Sequence, residues 1–288
     1  MIKNGLRAML GAARMLLTKK GALALFNLLY AVLLALLYLF ISTKEATRWQ
    51  LVLTALLALL VPLLFFILQA AGVHFALSEG GFRALLRRAL RDFWKLVLIS
   101  LPLIALAVLV LYLLNKLQVR FPVPEPRELP RPALTPIQSP ASPPVMPMHW
   151  PSVLFSSLRL LLVGIILPLL AIQLWIAVAR DGFLGGIKKS LSALGRALSP
   201  QSVFIYTVGL LLFGLMPYFL IFTRTPIKNG WAELFIFGLR LALAFVLTLW
   251  GWIITLGALA KVSNASETTP VALVQSEPAQ TPEAQAQI

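Results

Sequence analysis

Residues 82–114 decide the fold: they read FRALLRRALRDFWK, followed without a break by LVLISLPLIALAVLVLYLL. The first fourteen residues place apolar side chains at the i, i+3, i+4, i+7 spacing of one helix face, and the opposite face is basic. The next nineteen residues carry no charge, which is close to the ~20 apolar residues that cross a bilayer as a helix. The stretch therefore predicts a basic amphipathic helix that leads into a membrane span.

The same pairing recurs along the chain, which is 59% hydrophobic and only 12% charged. Such a composition leaves more apolar surface than one aqueous core can bury, so the predicted fold class is an all-α, polytopic membrane protein. Six transmembrane helices are predicted at about 21–41, 51–75, 96–114, 153–179, 203–222 and 232–260. Three amphipathic helices are predicted on the cytoplasmic side at about 2–20, 82–95 and 183–199.

The positive charge of the chain gives its orientation. The net charge is +15, and we interpret it through the positive-inside rule and anionic lipid rather than through nucleic acid, which is not an expected partner. Fifteen Lys and Arg residues fall on the side that carries the amphipathic helices, and eight fall on the other. Both termini are therefore predicted to be cytoplasmic, in a bacterial plasma (inner) membrane. The first apolar run is too long for a cleavable signal and is predicted to be retained.

The amphipathic segments resemble one another. Residues 5–10 read GLRAML and residues 81–86 read GFRALL, while ALSEGGF at 76–82 is matched by AVARDGF at 177–183. The simplest organisation is a triplicated unit of amphipathic helix, span and span, in parallel orientation. Repeats of this kind often place a site at their interface.

Two segments are not predicted to be helical. Residues 121–151 contain 11 prolines and form a Pro-rich outer loop, interpreted as a flexible connector or as a contact for a membrane or cell-envelope protein. Residues 262–288 are rich in Ser, Thr, Pro, Gln and Ala and are predicted to be a disordered cytoplasmic tail after a membrane domain over 1–261.

Two arginines lie inside predicted spans, Arg159 and Arg240. Charged residues there suggest function by default, so the two are candidate contacts for a lipid phosphate or another anion. The alternative is that both reach the outer headgroups, with Glu233 on the same helix face as Arg240.

Anionic phospholipids are the predicted partners of the amphipathic helices, since a basic face opposite an apolar one suits a helix in the membrane interface. The predicted interfacial lipid contacts are Arg83, Arg87, Arg88, Arg91, Lys95, Lys188, Lys189 and Arg196.

The polar groups inside the spans favour structure over chemistry. Asn27, Gln69 and Gln173 are interpreted as interhelical hydrogen-bonding groups, and His74 as an interfacial or satisfied histidine. Each of the four middle spans contains one proline, interpreted as a static kink or as the hinge of a gated path. The prolines are Pro62, Pro102, Pro168 and Pro217.

No catalytic motif is recognisable in the sequence, so we expect no enzyme, no cofactor and no metal site. The absence of cysteine removes thiolate ligands, and Met146, Met148 and His149 are the weak remaining candidates for a soft metal. The expected function is that of a non-enzymatic integral membrane protein that organises or contacts lipids or partner membrane proteins. The alternative is a small permease or lipid-handling transporter.

The element at residues 81–96, GFRALLRRALRDFWKL, resembles one found in some bacterial six-helix membrane proteins. These include the membrane domain associated with glycerophosphodiester phosphodiesterases and related stand-alone proteins. The resemblance implies a six-helix membrane fold. It transfers no functional residue and no phosphodiesterase activity, and the Pro-rich outer loop departs from it.

Overall fold

The structure is a computed structural model that describes residues 2–43, 47–77, 81–121, 150–188, 190–223 and 230–274. Every regular element in these ranges is a helix, as the sequence predicts. Six of the described helices are long and apolar enough to cross a membrane, and each contains one of the six predicted spans. They are Lys20–Ser42, Arg48–Leu77, Phe82–Val119, Trp150–Lys188, Pro200–Phe222 and Gly230–Ala265.

The helices are numbered along the chain. They are α1 (Ile2–Thr18), α2 (Lys20–Ser42), α3 (Arg48–Leu77), α4 (Phe82–Val119), α5 (Trp150–Arg159), α6 (Leu167–Lys188), α7 (Ser190–Ala197), α8 (Pro200–Leu210), α9 (Met216–Phe222) and α10 (Gly230–Val274).

The chain divides into two compact units, and the larger comprises Met1–Ser100 and Leu169–Ile288. Within it α10 is the central helix, because it packs against α1, α2, α3, α8 and α9. Small residues allow the close approaches: a Cβ added at Gly209 of α8 would clash with Thr255 Oγ1 of α10. Large apolar side chains complete this core, among them Leu16, Phe26, Leu96, Ile172, Ile176, Ile205, Leu249, Leu256 and Leu259.

The smaller unit is Leu101–Pro168, which holds the second half of α4 together with α5. Arg159 Nη2 of α5 donates to Asn115 Oδ1 of α4. The rings of Phe121 and Phe155 lie 5.9 Å apart. These contacts tie α5 to the end of α4 within the unit.

Two of the four prolines follow a π-helical stretch. Leu160–Ile166 precedes Pro168, and Leu211–Leu215 precedes Pro217. Proline has no N–H and clashes with the carbonyl group four residues before it. The backbone N–H groups near it therefore donate to the carbonyl five residues back instead of four. Pro62 and Pro102 lie inside the continuous helices α3 and α4.

The predicted amphipathic segments are helical but not all separate. Residues 82–95 continue into the span as one 38-residue helix, because no glycine or proline interrupts the chain at that boundary. Residues 183–199 are divided between the end of α6, beyond Gly182, and α7. Gly182 has φ 77°, a left-handed conformation that glycine adopts without strain.

The start of the predicted disordered tail differs from the structure, in which α10 continues to Val274. Extending an existing helix needs no new nucleus, so helical structure propagates past the apolar span into polar sequence. The rest of the tail lies outside the described residues, as do residues 122–149 of the Pro-rich loop.

Candidate functional site: the arginine face of α4

Four arginines on the first three turns of α4 form a basic surface, which we call the arginine face: Arg83, Arg87, Arg88 and Arg91. Together with Ala84 they line an open cavity of about 390 Å³, and all four side chains are exposed. Arg83, Arg87 and Arg91 follow one another at i, i+4 and i+8, so their side chains project from successive turns of one face. No acidic residue is among the described residues that line this cavity.

A buried carboxylate lies beside the arginine face on the same turns. Asp92 is 5% exposed, and its Oδ1 accepts from Lys95 Nζ at 2.6 Å. His74 Nε2 of α3 lies 3.2 Å from Asp92 Oδ2, and Arg91 Nη2 lies 3.5 Å from the same oxygen. A buried charge is costly unless it is paired, and here cationic and hydrogen-bonding groups from two helices surround one acid. We call this cluster of Asp92, Lys95, His74 and Arg91 the buried node. It holds the N-terminal part of α4 on α3.

The arginine face lies at the end of the bundle where α2 begins and α3 ends. A Cβ added at Gly21, near the start of α2, would lie 3.7 Å from Phe82 Cβ. Lys19 Nζ is 5.9 Å from the ring centroid of Phe75, which adjoins His74. Phe82 and Asp92 are ten residues apart, about 15 Å along a helix, yet both contact this end of the unit. The first turns of α4 therefore lie next to the start of α2 and the end of α3.

The pairing of His74 with Asp92 is not predicted from the sequence, in which His74 is interpreted as a single interfacial or satisfied histidine. A signal was present, because Asp92 falls on the helix face of Leu85, Ala89 and Leu96, all of which are buried. The ammonium group of Lys95, which is also a predicted lipid contact, forms an ion pair with Asp92 at 2.6 Å.

The other predicted interfacial contacts are more dispersed. Lys188 is exposed at the end of α6, and Lys189 lies outside the described residues. Arg196 of α7 is half-buried, and its Nη2 is 3.5 Å from Ser192 Oγ. Among the described parts of the chain, only α4 brings four arginines to one surface.

The two arginines inside the spans each have an acceptor in their own unit. Arg159 donates to Asn115, as described above, and Arg240 Nη1 donates to the carbonyl oxygen of Thr223. Thr223 is the C-cap of α9, so Arg240 places a positive charge at the negative end of that helix.

Tryptophan indoles satisfy most of the buried polar groups expected to hold helices together. Trp252 Nε1 donates to Gln69 Oε1 at 2.7 Å, and Trp250 Nε1 donates to Asn27 Oδ1 at 3.4 Å. Trp175 Nε1 donates to Ser100 Oγ at 2.9 Å. Gln173 is 1% exposed, and neither of its amide atoms has a hydrogen-bond partner among the described residues. Interhelical bonding is thus confirmed for Asn27 and Gln69, but no partner for Gln173 is described.

The described residues include no group of three or more His, Cys, Asp or Glu side chains that could hold a metal ion. The weak candidates Met146, Met148 and His149 lie outside the described ranges.

Comparison with protein-family models, curated proteins and solved structures finds no match to this chain. The resemblance of residues 81–96 to bacterial six-helix membrane proteins therefore stays a prediction.

Proposed function

We propose that this chain is a non-enzymatic, multi-pass membrane protein that binds anionic phospholipid headgroups through the arginine face of α4. The observation that carries the proposal is a row of exposed guanidinium groups, those of Arg83, Arg87 and Arg91, around a cavity whose described lining contains no acidic residue. Guanidinium pairs with phosphate through two parallel hydrogen bonds, and each basic residue near an anionic membrane surface contributes about 1 kcal/mol.

The three sides of α4 support this proposal. Around the helix axis, in the direction in which the chain advances by about 100° per residue, the buried side of Leu85, Ala89 and Asp92 comes first. An exposed apolar side comes next, and the arginine face comes third. The exposed apolar side carries Phe82, Leu90 and Trp94. A helix with protein on one side, hydrocarbon on the next and headgroups on the third would present these three surfaces.

The same order of surfaces in α1 supports the triplicated unit that the sequence predicts. Its buried side of Gly5, Met9, Ala12 and Leu16 packs on the bundle. An exposed apolar side follows in the same rotational sense, and a basic side comes third. The exposed apolar side consists of Ile2, Leu6, Leu10 and Leu17, and the basic side of Lys3, Arg7 and Arg14.

In α7 and the turn residue after it, the same order is followed by the buried Ala193 and Ala197, the exposed Leu194 and Leu198, and Arg196. Reversing the direction of a helix on the membrane surface would reverse this order. The shared order is what parallel repeats in one leaflet would produce, and we place them in the cytoplasmic leaflet of a plasma membrane by the positive-inside rule.

The alternative function, a permease or lipid-handling transporter, has less support in the larger unit. Asn27 and Gln69 accept hydrogen bonds from tryptophan indoles, so these amides are occupied within the bundle. Gln173 would still suit a polar path, because its amide has no described partner. Since the chain has no cysteine, labelling of Gln173→Cys by a water-soluble maleimide in membranes would favour transport, and protection would favour a sealed bundle.

The test of lipid binding replaces three arginines at once, as Arg83→Gln, Arg87→Gln and Arg91→Gln. The full chain is placed in nanodiscs of mixed phosphatidylglycerol and phosphatidylcholine, and retained lipid is measured by native mass spectrometry after extraction. At about 1 kcal/mol for each charge, we expect retention of phosphatidylglycerol to fall by about 100-fold. The salt dependence of retention should fall with it.

The matched control removes three exposed charges elsewhere, as Arg48→Gln, Lys116→Gln and Arg120→Gln. This variant should retain phosphatidylglycerol like the unmodified chain. Equal losses in both triple variants would mean that net charge alone governs retention, and the proposed site would be wrong.

A further inference from the structure

A second cavity lies near the N-terminal end of α10, away from the arginine face. It has a volume of about 780 Å³ and is lined by the end of α9 and the first turns of α10. Arg240, Glu233 and Thr223 supply its polar groups, and the remaining lining is mainly apolar. The apolar lining residues are Ile221, Phe222, Leu234 and Phe237.

The position of Arg240 along α10 places it at headgroup depth. Lys261 lies 21 residues further along this helix, about 32 Å at 1.5 Å per residue. The hydrocarbon core of a bilayer is about 30 Å thick, so a helix with Lys261 at one surface has Arg240 near the other. Glu233 lies two turns beyond Arg240, about 10 Å further from the hydrocarbon and on the same helix face.

The guanidinium group of Arg240 is held in place but not saturated. One of its five N–H groups donates to the Thr223 carbonyl oxygen, which anchors it at the end of α9. The remaining N–H groups retain the planar fork that binds a phosphate oxygen pair. Glu233 is exposed, and no described basic group lies within ion-pair distance of it.

An apolar groove continues from this cavity towards the middle of α10. Its volume is about 430 Å³, and it shares Arg240 and Thr223 with the cavity. The rest of its lining comes from α9 and α10 and is entirely apolar: Met216, Phe219, Leu220, Leu243 and Leu247. A cavity that carries both an acidic and a basic side chain and an entirely apolar groove thus meet at Arg240.

We propose that this composite site binds one zwitterionic aminophospholipid, of the phosphatidylethanolamine type. Its phosphodiester sits on Arg240, its primary ammonium on Glu233 and one acyl chain in the groove between α9 and α10. In such a lipid the amine lies further from the acyl chains than the phosphate does. Glu233 likewise lies further from the hydrocarbon than Arg240. A purely anionic lipid would satisfy Arg240 but leave its headgroup against the Glu233 carboxylate. The site does not depend on the function proposed for the arginine face.

The test measures lipid preference with the full chain in nanodiscs that contain equal amounts of phosphatidylethanolamine and phosphatidylglycerol. The Arg83→Gln, Arg87→Gln, Arg91→Gln variant serves as the background, so that lipid held by the arginine face is not counted. Native mass spectrometry gives the ratio of the two retained lipids. We expect phosphatidylethanolamine to be retained in excess, and Glu233→Gln to reduce that excess by about tenfold, the effect of losing one partly desolvated ion pair.

Two further variants separate the parts of the site. Leu243→Trp should fill the groove and lower total lipid retention without altering the ratio, whereas Arg240→Lys should weaken retention because a single ammonium cannot bind phosphate through a fork. Arg120→Leu removes an exposed arginine outside the site as a control and should change nothing. Equal retention of the two lipids by the background chain would overturn the proposal, as would an unchanged ratio in Glu233→Gln.

Discussion

The ionic groups at the two ends of the larger unit have different kinds of partner. Around Asp92 one buried carboxylate is surrounded by Lys95, Arg91 and His74, so its charge is compensated inside the protein. At the other end Arg240 is anchored by a main-chain carbonyl, while Glu233 stands two turns away without a described cation. A charge that is paired internally therefore serves stability, whereas a charge held by a neutral acceptor remains available to a ligand.

Replacing the internally compensated acid should have the largest effect on stability. Asp92→Asn leaves Lys95 and His74 facing a neutral amide, and breaking a buried ion pair typically costs 3–5 kcal/mol. We expect about 3 kcal/mol, because the Lys95 side chain is 27% exposed and can turn towards water. Thermal unfolding in detergent, followed by circular dichroism, measures the change.

The control for this variant is Asp181→Asn, since Asp181 pairs with Arg180 at 3.1 Å on a more exposed surface. Its loss should cost well under half as much. Equal destabilisation by the two variants would remove the distinction between a buried node and a surface pair.

Replacing the anchored cation should have a smaller effect on stability and a larger one on lipid. Arg240→Leu loses one hydrogen bond at the C-terminus of α9, which we expect to cost about 1 kcal/mol. The same unfolding measurement applies, with retained phosphatidylethanolamine as the second readout. Destabilisation as large as that of Asp92→Asn would show that Arg240 is a structural group and would break the comparison.

The smallest effect on stability is expected from Arg91→Gln. The Arg91 side chain is 74% exposed and lies 3.5 Å from Asp92, a geometry in which an ion pair contributes between zero and about 1 kcal/mol. The unfolding temperature should therefore hardly move, while retention of phosphatidylglycerol falls by about fivefold. A large loss of stability would assign Arg91 to the buried node instead of the arginine face.

The spans were predictable because a lipid environment requires each helix to have a certain length and an apolar composition, and both can be read directly from the sequence. The arginine face was also predictable, since its residues follow helical periodicity. The pairing of Asp92 with His74 was not, because periodicity indicates burial but does not say which residue of another helix is opposite. The anchoring of Arg240 on Thr223 lay beyond sequence reasoning for another reason: every residue has a carbonyl oxygen, so no residue type marks the acceptor.

The π-helical stretches before Pro168 and Pro217 bear on how lipid-facing and protein-facing positions are assigned. A wide turn accommodates one more residue than the α-helical ladder, which rotates everything after it by roughly 100°. A helical wheel drawn with a single period across Trp150–Lys188 or Pro200–Phe222 would therefore misplace the residues after the π-helical stretch by about 100°. Changing the length of either stretch by one residue would turn an entire half-helix by about 100° about its axis, and so bring different side chains to the bundle, while leaving its composition almost untouched.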